Sequence, residues 1–149
     1  MEIDLNKRYQ TMLTLWFALL ASVGMYFLFI MFAAPEFSDV GHAPSSALIL
    51  GLSALGTLLV IVSFPVKHKL LDRAVEAQDV GLVQRAMIVA CAMCELSALL
   101  GVVERLVFGS RQYYFLFLLA AAGQVLHFPR RSQLEAAQWR TIKSSTLRQ

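Results

Sequence analysis

Four long apolar runs, at about 11–33, 46–64, 86–108 and 112–128, are separated by short polar segments. An α-helix satisfies its own backbone hydrogen bonds, and about 20 residues at about 1.5 Å each carry it across a hydrocarbon core about 30 Å thick. The runs therefore predict an all-α integral membrane fold, with four transmembrane helices in a single membrane domain over 1–149. The fourth run is short and is expected to stand nearly upright. A chain that is 58% apolar and 15% charged is greasier than a soluble domain of this length.

The first run resembles a secretory signal, with Lys7 and Arg8 before it and Ala33-Ala34 after it. Its length, about 23 apolar residues, exceeds a normal signal core and predicts a retained signal-anchor helix. Neither end carries a lipidation motif.

Basic residues in short loops resist translocation, so their placement predicts orientation. With four spans, Lys7, Arg8, Lys67, Lys69, Arg73, Arg85, Arg130, Arg131, Arg140, Lys143 and Arg148 fall on one side, and only Arg105 and Arg111 on the other. The expected location is a bacterial inner membrane with both termini cytoplasmic. The positive excess is then a topology signal and an attraction to the anionic headgroups of the lipid bilayer, with no nucleic acid as partner.

The outer connections, 34–44 and 109–111, are short and predict two antiparallel hairpins. The central segment 66–85 reads as an amphipathic helix, with Leu70, Leu71, Ala74 and Val75 as its apolar stripe. Asp79 suits the N-cap of the third span, so a break is expected near Gln78–Gly81. The tail 130–149 repeats this pattern with Leu134, Ala137, Trp139 and Ile142, and Trp139 suits a membrane interface. Both tail and central segment are expected as cytoplasmic helical extensions. Each follows a Phe-Pro pair and basic residues: Ser63-Phe-Pro-Val-Lys and His127-Phe-Pro-Arg-Arg. Duplication of a hairpin or convergence on a common exit signal accounts for the repeat.

Within residues 87–101 of the third run a single carboxylate, Glu95, lies about midway across. A charge at that depth costs about 3 kcal/mol or more unless protonated, paired or hydrated, which makes Glu95 the expected proton- or cation-binding residue. Residues 91, 95, 98 and 102 form one helical row, with Cys94 and Arg105 on its flank, expected to face the bundle. Ser22, Ser53, Thr57 and Gln124 come within about a turn of this level or one turn inward, and are the expected hydrogen-bond partners of a neutral carboxyl. No Lys, Arg or His shares the depth. The competing reading is a carboxyl that fixes helix packing.

Cys91 and Cys94 have C-x-x-C spacing, but inside an apolar helix a thiolate is disfavoured and both are expected to pack. His42 falls outside, and His68 and His127 at the inner edge, so neither a metal site nor a bis-His cofactor is expected. Glu104, Arg105 and Arg111 read as a solvated outer rim. Met25, Tyr26, Phe27 and Phe29 read as lipid-facing or packing surface. Close helix approach is expected at Ala18/Ser22, Ala47/Gly51 and Ser53/Thr57.

The stretch Ala92-Met-Cys-Glu-Leu-Ser-Ala-Leu-Leu-Gly101, with Leu126-His-Phe-Pro-Arg-Arg131 after the fourth run, resembles uncharacterised four-helix bacterial membrane proteins with an A-x-x-E-x-x-A-L-x-G core. Over about ten residues the same core is similar to the carboxylate helix of rotary ATPase proteolipid (c) subunits. That second resemblance implies a proton- or cation-binding role for Glu95 alone, since the chain has neither the glycine-repeat helix nor the polar loop of those subunits.

No catalytic motif or phosphate loop is present, and a non-enzymatic protein without a cofactor is expected. Two functions fit. One is an oligomeric transport or channel-like assembly using Glu95, and the other is an accessory or assembly subunit of a larger membrane complex.

Overall fold

The computed structural model describes residues 2–33, 46–110 and 112–146, with side chains described over 5–32, 46–110 and 112–138. Among the described residues there are five helices and no strand: α1 (Glu2–Ala33), α2 (Ser46–Ala77), α3 (Val80–Phe108), α4 (Tyr113–Leu126) and α5 (Arg131–Thr146). All four apolar runs are helical. The first three helices have 32, 32 and 29 residues and are long and apolar enough to cross a membrane. With 14 residues, α4 is apolar but reaches only about 21 Å.

Local chemistry sets the ends of α3. The Asp79 carboxylate accepts the Gly81 backbone N–H at 2.7 Å, and Gln78 turns the chain with φ 51°. The break expected near 78–81 therefore occurs there. At the other end Gly109 adopts φ 61°, its N–H donating to Arg105 O at 3.1 Å while Ser110 N–H donates to Glu104 O at 3.2 Å. This pairing satisfies the last carbonyls of the helix and favours glycine at the left-handed position.

No break occurs at Phe64-Pro65. Pro65 lies inside α2, which continues to Ala77, so the helical extension expected after the second apolar run is one rod with it as far as Ala77. Proline removes one rung of the hydrogen-bond ladder. Two residues earlier the Ser63 hydroxyl donates to Val60 O at 2.6 Å, a side-chain bond within the same turn of the helix. Pro129, in contrast, is buried between α4 and α5, so the two Phe-Pro pairs have different backbone outcomes.

The expected pairing of α1 with α2 as a hairpin is not found. Among the described residues the backbones of α1 and α2 do not approach each other closely, and α3 lies at the centre, packed against α2, α4 and α1. Small buried residues explain this: Ala86, Ala90, Ala98 and Gly101 keep α3 thin enough for three neighbours. The closest approaches are also glycines of this core. A Cβ at Gly56 would lie 2.6 Å from Leu116 Cδ2, and one at Gly123 would lie 2.8 Å from Cys94 Sγ and 2.9 Å from Val60 Cγ1. Of the small-residue pairs expected to mediate contact, Ala18, Ala47 and Gly51 are exposed. Spacing alone does not say which side of a helix meets a neighbour.

Two apolar clusters fill the bundle. Val23, Ile30, Ala98, Tyr113, Phe117 and Ala120 join α1, α3 and α4 at one end. At the other, Leu134 and Ala137 of α5 seat against Leu5, Met12, Ala74, Val83, Met87 and Cys91. The side chain of Trp139 lies outside the described residues. Large apolar side chains also cover the exterior, including Phe17 (66% exposed), Phe32 (82%), Leu50 (71%) and Leu118 (72%). Met25 and Phe29 belong to this exterior, whereas Phe27 stacks edge-on with Phe117 at 5.5 Å.

On α3 itself, Ile88, Leu96, Leu99, Val103 and Val107 are exposed. By helical periodicity they form one stripe opposite the α4 contact. The stripe is bordered by α1 on one side and α2 on the other.

Candidate functional site

Glu95 stands near the middle of α3, half-buried, at the α1 edge of the exposed stripe. Its Oε1 contacts the Ser22 hydroxyl, and Ser22 Oγ also lies 2.7 Å from Leu19 O. The Ser22 hydroxyl thus faces two acceptors, the Glu95 carboxyl group on α3 and the Leu19 carbonyl on its own helix. Ser22 is thus the partner expected of Glu95.

The other three residues expected around Glu95 are engaged elsewhere. Ser53 donates to Glu104 Oε1 at 2.6 Å, and Thr57 donates to Ser53 O at 2.8 Å. Gln124 is fully buried, and among the described residues neither atom of its carboxamide has a partner, while its backbone oxygen accepts Trp16 Nε1 at 2.8 Å. Equal depth brought these residues to one level, but helices meet on faces.

Glu104 departs furthest from expectation. It is not a solvated rim residue but fully buried, with Oε1 bonded to Ser53 and, among the described residues, no partner for Oε2. Nine residues separate it from Glu95, which is 2.5 helical turns: the two carboxyl groups face opposite ways, about 13 Å apart along the axis. Glu95 serves the α1 interface and Glu104 the α2 interface. Ser97 faces the same way as Glu104, one heptad away, and is also buried with no hydrogen-bond partner for its hydroxyl among the described residues. Arg105 does remain at the end of the helix, where its Nη1 donates to Gly109 O at 3.3 Å and its guanidinium lies 5.7 Å from the Tyr113 ring centre. Arg111 lies outside the described residues.

The inner end of the bundle holds a second polar group. Ser63 Oγ lies 2.7 Å from His127 Nε2, and Lys67 Nζ donates to His127 O at 3.1 Å. Ser63 and His127 are fully buried or nearly so, and Lys67 is 8% exposed. His127 is therefore an interior residue, unlike His68, which is exposed. The first residues of the two Phe-Pro repeats meet, and Phe64 stacks on His127 with ring centres 4.5 Å apart. The repeat itself was the signal for this contact.

Cys91 and Cys94 are free and buried, with Cys94 Sγ 3.9 Å from Ser63 Oγ and close against Gly123. Among the described residues there is no group of three or more His, Cys, Asp or Glu that could hold a metal ion. Searches against protein-family models, curated proteins and solved structures match nothing to this chain.

Proposed function

We propose that this chain is a small polytopic protein of a bacterial inner membrane, with both termini cytoplasmic, in which Glu95 binds or relays protons or cations within a homo-oligomer or larger complex. The observation that carries the reading is the Glu95–Ser22 contact. A carboxyl group midway along an apolar helix is half-open to the exterior and is hydrogen-bonded to a hydroxyl of a neighbouring helix. The surrounding bundle is too thin to enclose a pathway alone, so the open side of Glu95 would be completed by another subunit.

Reconstituted protein should carry pH-dependent proton or cation flux into liposomes. Glu95→Gln should reduce this flux at least about a hundredfold, within the range for loss of a proton-transferring group. Unchanged flux with intact assembly would refute the role.

The exposed stripe of α3 favours a second reading, that of an accessory subunit whose stripe receives a partner helix. In that case Glu95→Gln should alter co-purification or oligomer size while no flux is found in either protein.

A further inference from the structure

Lys67 is buried, and its ammonium has one hydrogen-bond acceptor for three donors, the carbonyl of His127. Among the described residues no carboxylate lies within ion-pair distance of it. Asp72 and Glu76 on the same helix are exposed, and Glu135 is taken by Arg131 at 3.1 Å. Arg130, in the turn between α4 and α5, adds like charge to Lys67. A buried cation is retained where an anion completes it, since an unpaired one is costly.

Position indicates the source of that anion. Lys67 lies 21 residues after Ser46, about 31 Å along α2, so if the apolar part of the helix spans a bilayer the ammonium reaches the headgroup layer. Phosphate is the anion found at that level. Just beyond, Leu71, Asp72, Val75, Ser132, Gln133 and Ala136 line an open recess of about 190 Å³ between α2 and α5.

We infer that Lys67 and Arg130 form a binding site for the phosphate headgroup of an anionic lipid at the α2–α4–α5 corner. The ammonium would donate one bond to His127 O and the others to phosphate oxygens, while Arg130 closes the site from the exposed side. Lipid binding would thereby tie α2 to the α4–α5 turn. The inference rests on the membrane reading of α1–α3.

Native mass spectrometry of the full chain in neutral detergent tests it, with phosphatidylglycerol, phosphatidylcholine or inorganic phosphate as the added probe. Phosphatidylglycerol should be retained in preference to phosphatidylcholine. Lys67→Gln should cut that preference about fivefold or more, the change set by one interfacial cation. Arg130→Gln, at an exposed position, should fold normally by circular dichroism and also weaken retention, which keeps the test open if the Lys67 variant does not fold. Equal retention of the two lipids, or undiminished preference in folded Arg130→Gln, would overturn the site. So would an adduct with inorganic phosphate in the absence of lipid that matches the lipid's affinity. Alkaline carbonate extraction of native membranes separates the two failures. A chain that resists extraction but shows no lipid preference contradicts the headgroup site alone, and a chain that is extracted contradicts the membrane reading.

Discussion

Gly123→Ala should destabilise the bundle by about 2 kcal/mol, whereas Gly24→Ala and Gly51→Ala should be neutral or slightly stabilising. The added methyl at 123 would sit 2.8 Å from Cys94 Sγ and 2.9 Å from Val60 Cγ1, inside contact distance of two neighbouring helices. Neither neighbour can swing away easily, because cysteine is short and valine is stiff at χ1. At Gly24 and Gly51 nothing lies within 4 Å, so only helix propensity acts there, and alanine is the better helix former. Thermal unfolding in detergent followed by circular dichroism gives the order. Val60→Ala should relieve part of the strain, so Gly123→Ala with Val60→Ala should be more stable than the sum of the single changes. Strict additivity would mean that the α2–α3–α4 contact is looser than described.

Ser53→Ala and Glu104→Met should change stability in opposite directions. Among the described residues Ser53 supplies the only hydrogen bond to the buried Glu104 carboxyl, and Oε2 has no partner there. Removing the hydroxyl leaves both oxygens unsatisfied and should cost about 1–3 kcal/mol. Replacing the carboxyl group by a methionine of similar volume removes the unsatisfied atoms and should be neutral or stabilising. In the Glu104→Met background, Ser53→Ala should then be nearly silent. The same detergent melts measure all three. A strongly destabilised Glu104→Met would show that the second oxygen has a ligand, water or ion, that contributes to the fold.

Much of this fold can be read from periodicity and end signals. The helical runs, the Asp79 cap and the turn before α3 follow from residue types acting within one or two turns of themselves. Which helices touch does not follow, because short loops limit only where neighbouring ends lie, while packing is decided by small residues such as Ala90 and Gly101 on α3. For the same reason Glu95 and Ser22 could be matched by depth, but Ser53 could not be assigned to Glu104 rather than Glu95. Glu104 itself was obscured by its neighbours Arg105 and Arg111, which made a buried acid look like part of a charged rim. Position 104 shares the inward face of Ala90 and Ser97 at spacings of 14 and 7 residues, a pattern that did carry the information. Pro65 follows the end of the second apolar run in sequence, yet it lies inside α2, which runs on to Ala77.

The depth of α3 in a bilayer is what the whole reading stands on, and site-directed spin labelling measures it. Labels placed singly at Ile88, Leu96, Leu99, Val103 and Val107, all exposed on the α3 stripe, avoid disturbing the core. In liposomes, collisions with oxygen should rise and those with a water-soluble nickel chelate should fall toward Leu96 and Leu99, placing the neighbouring Glu95 near the bilayer centre. Chelate access that is high and uniform along the stripe would contradict a membrane-spanning α3 and, with it, the role proposed for Glu95.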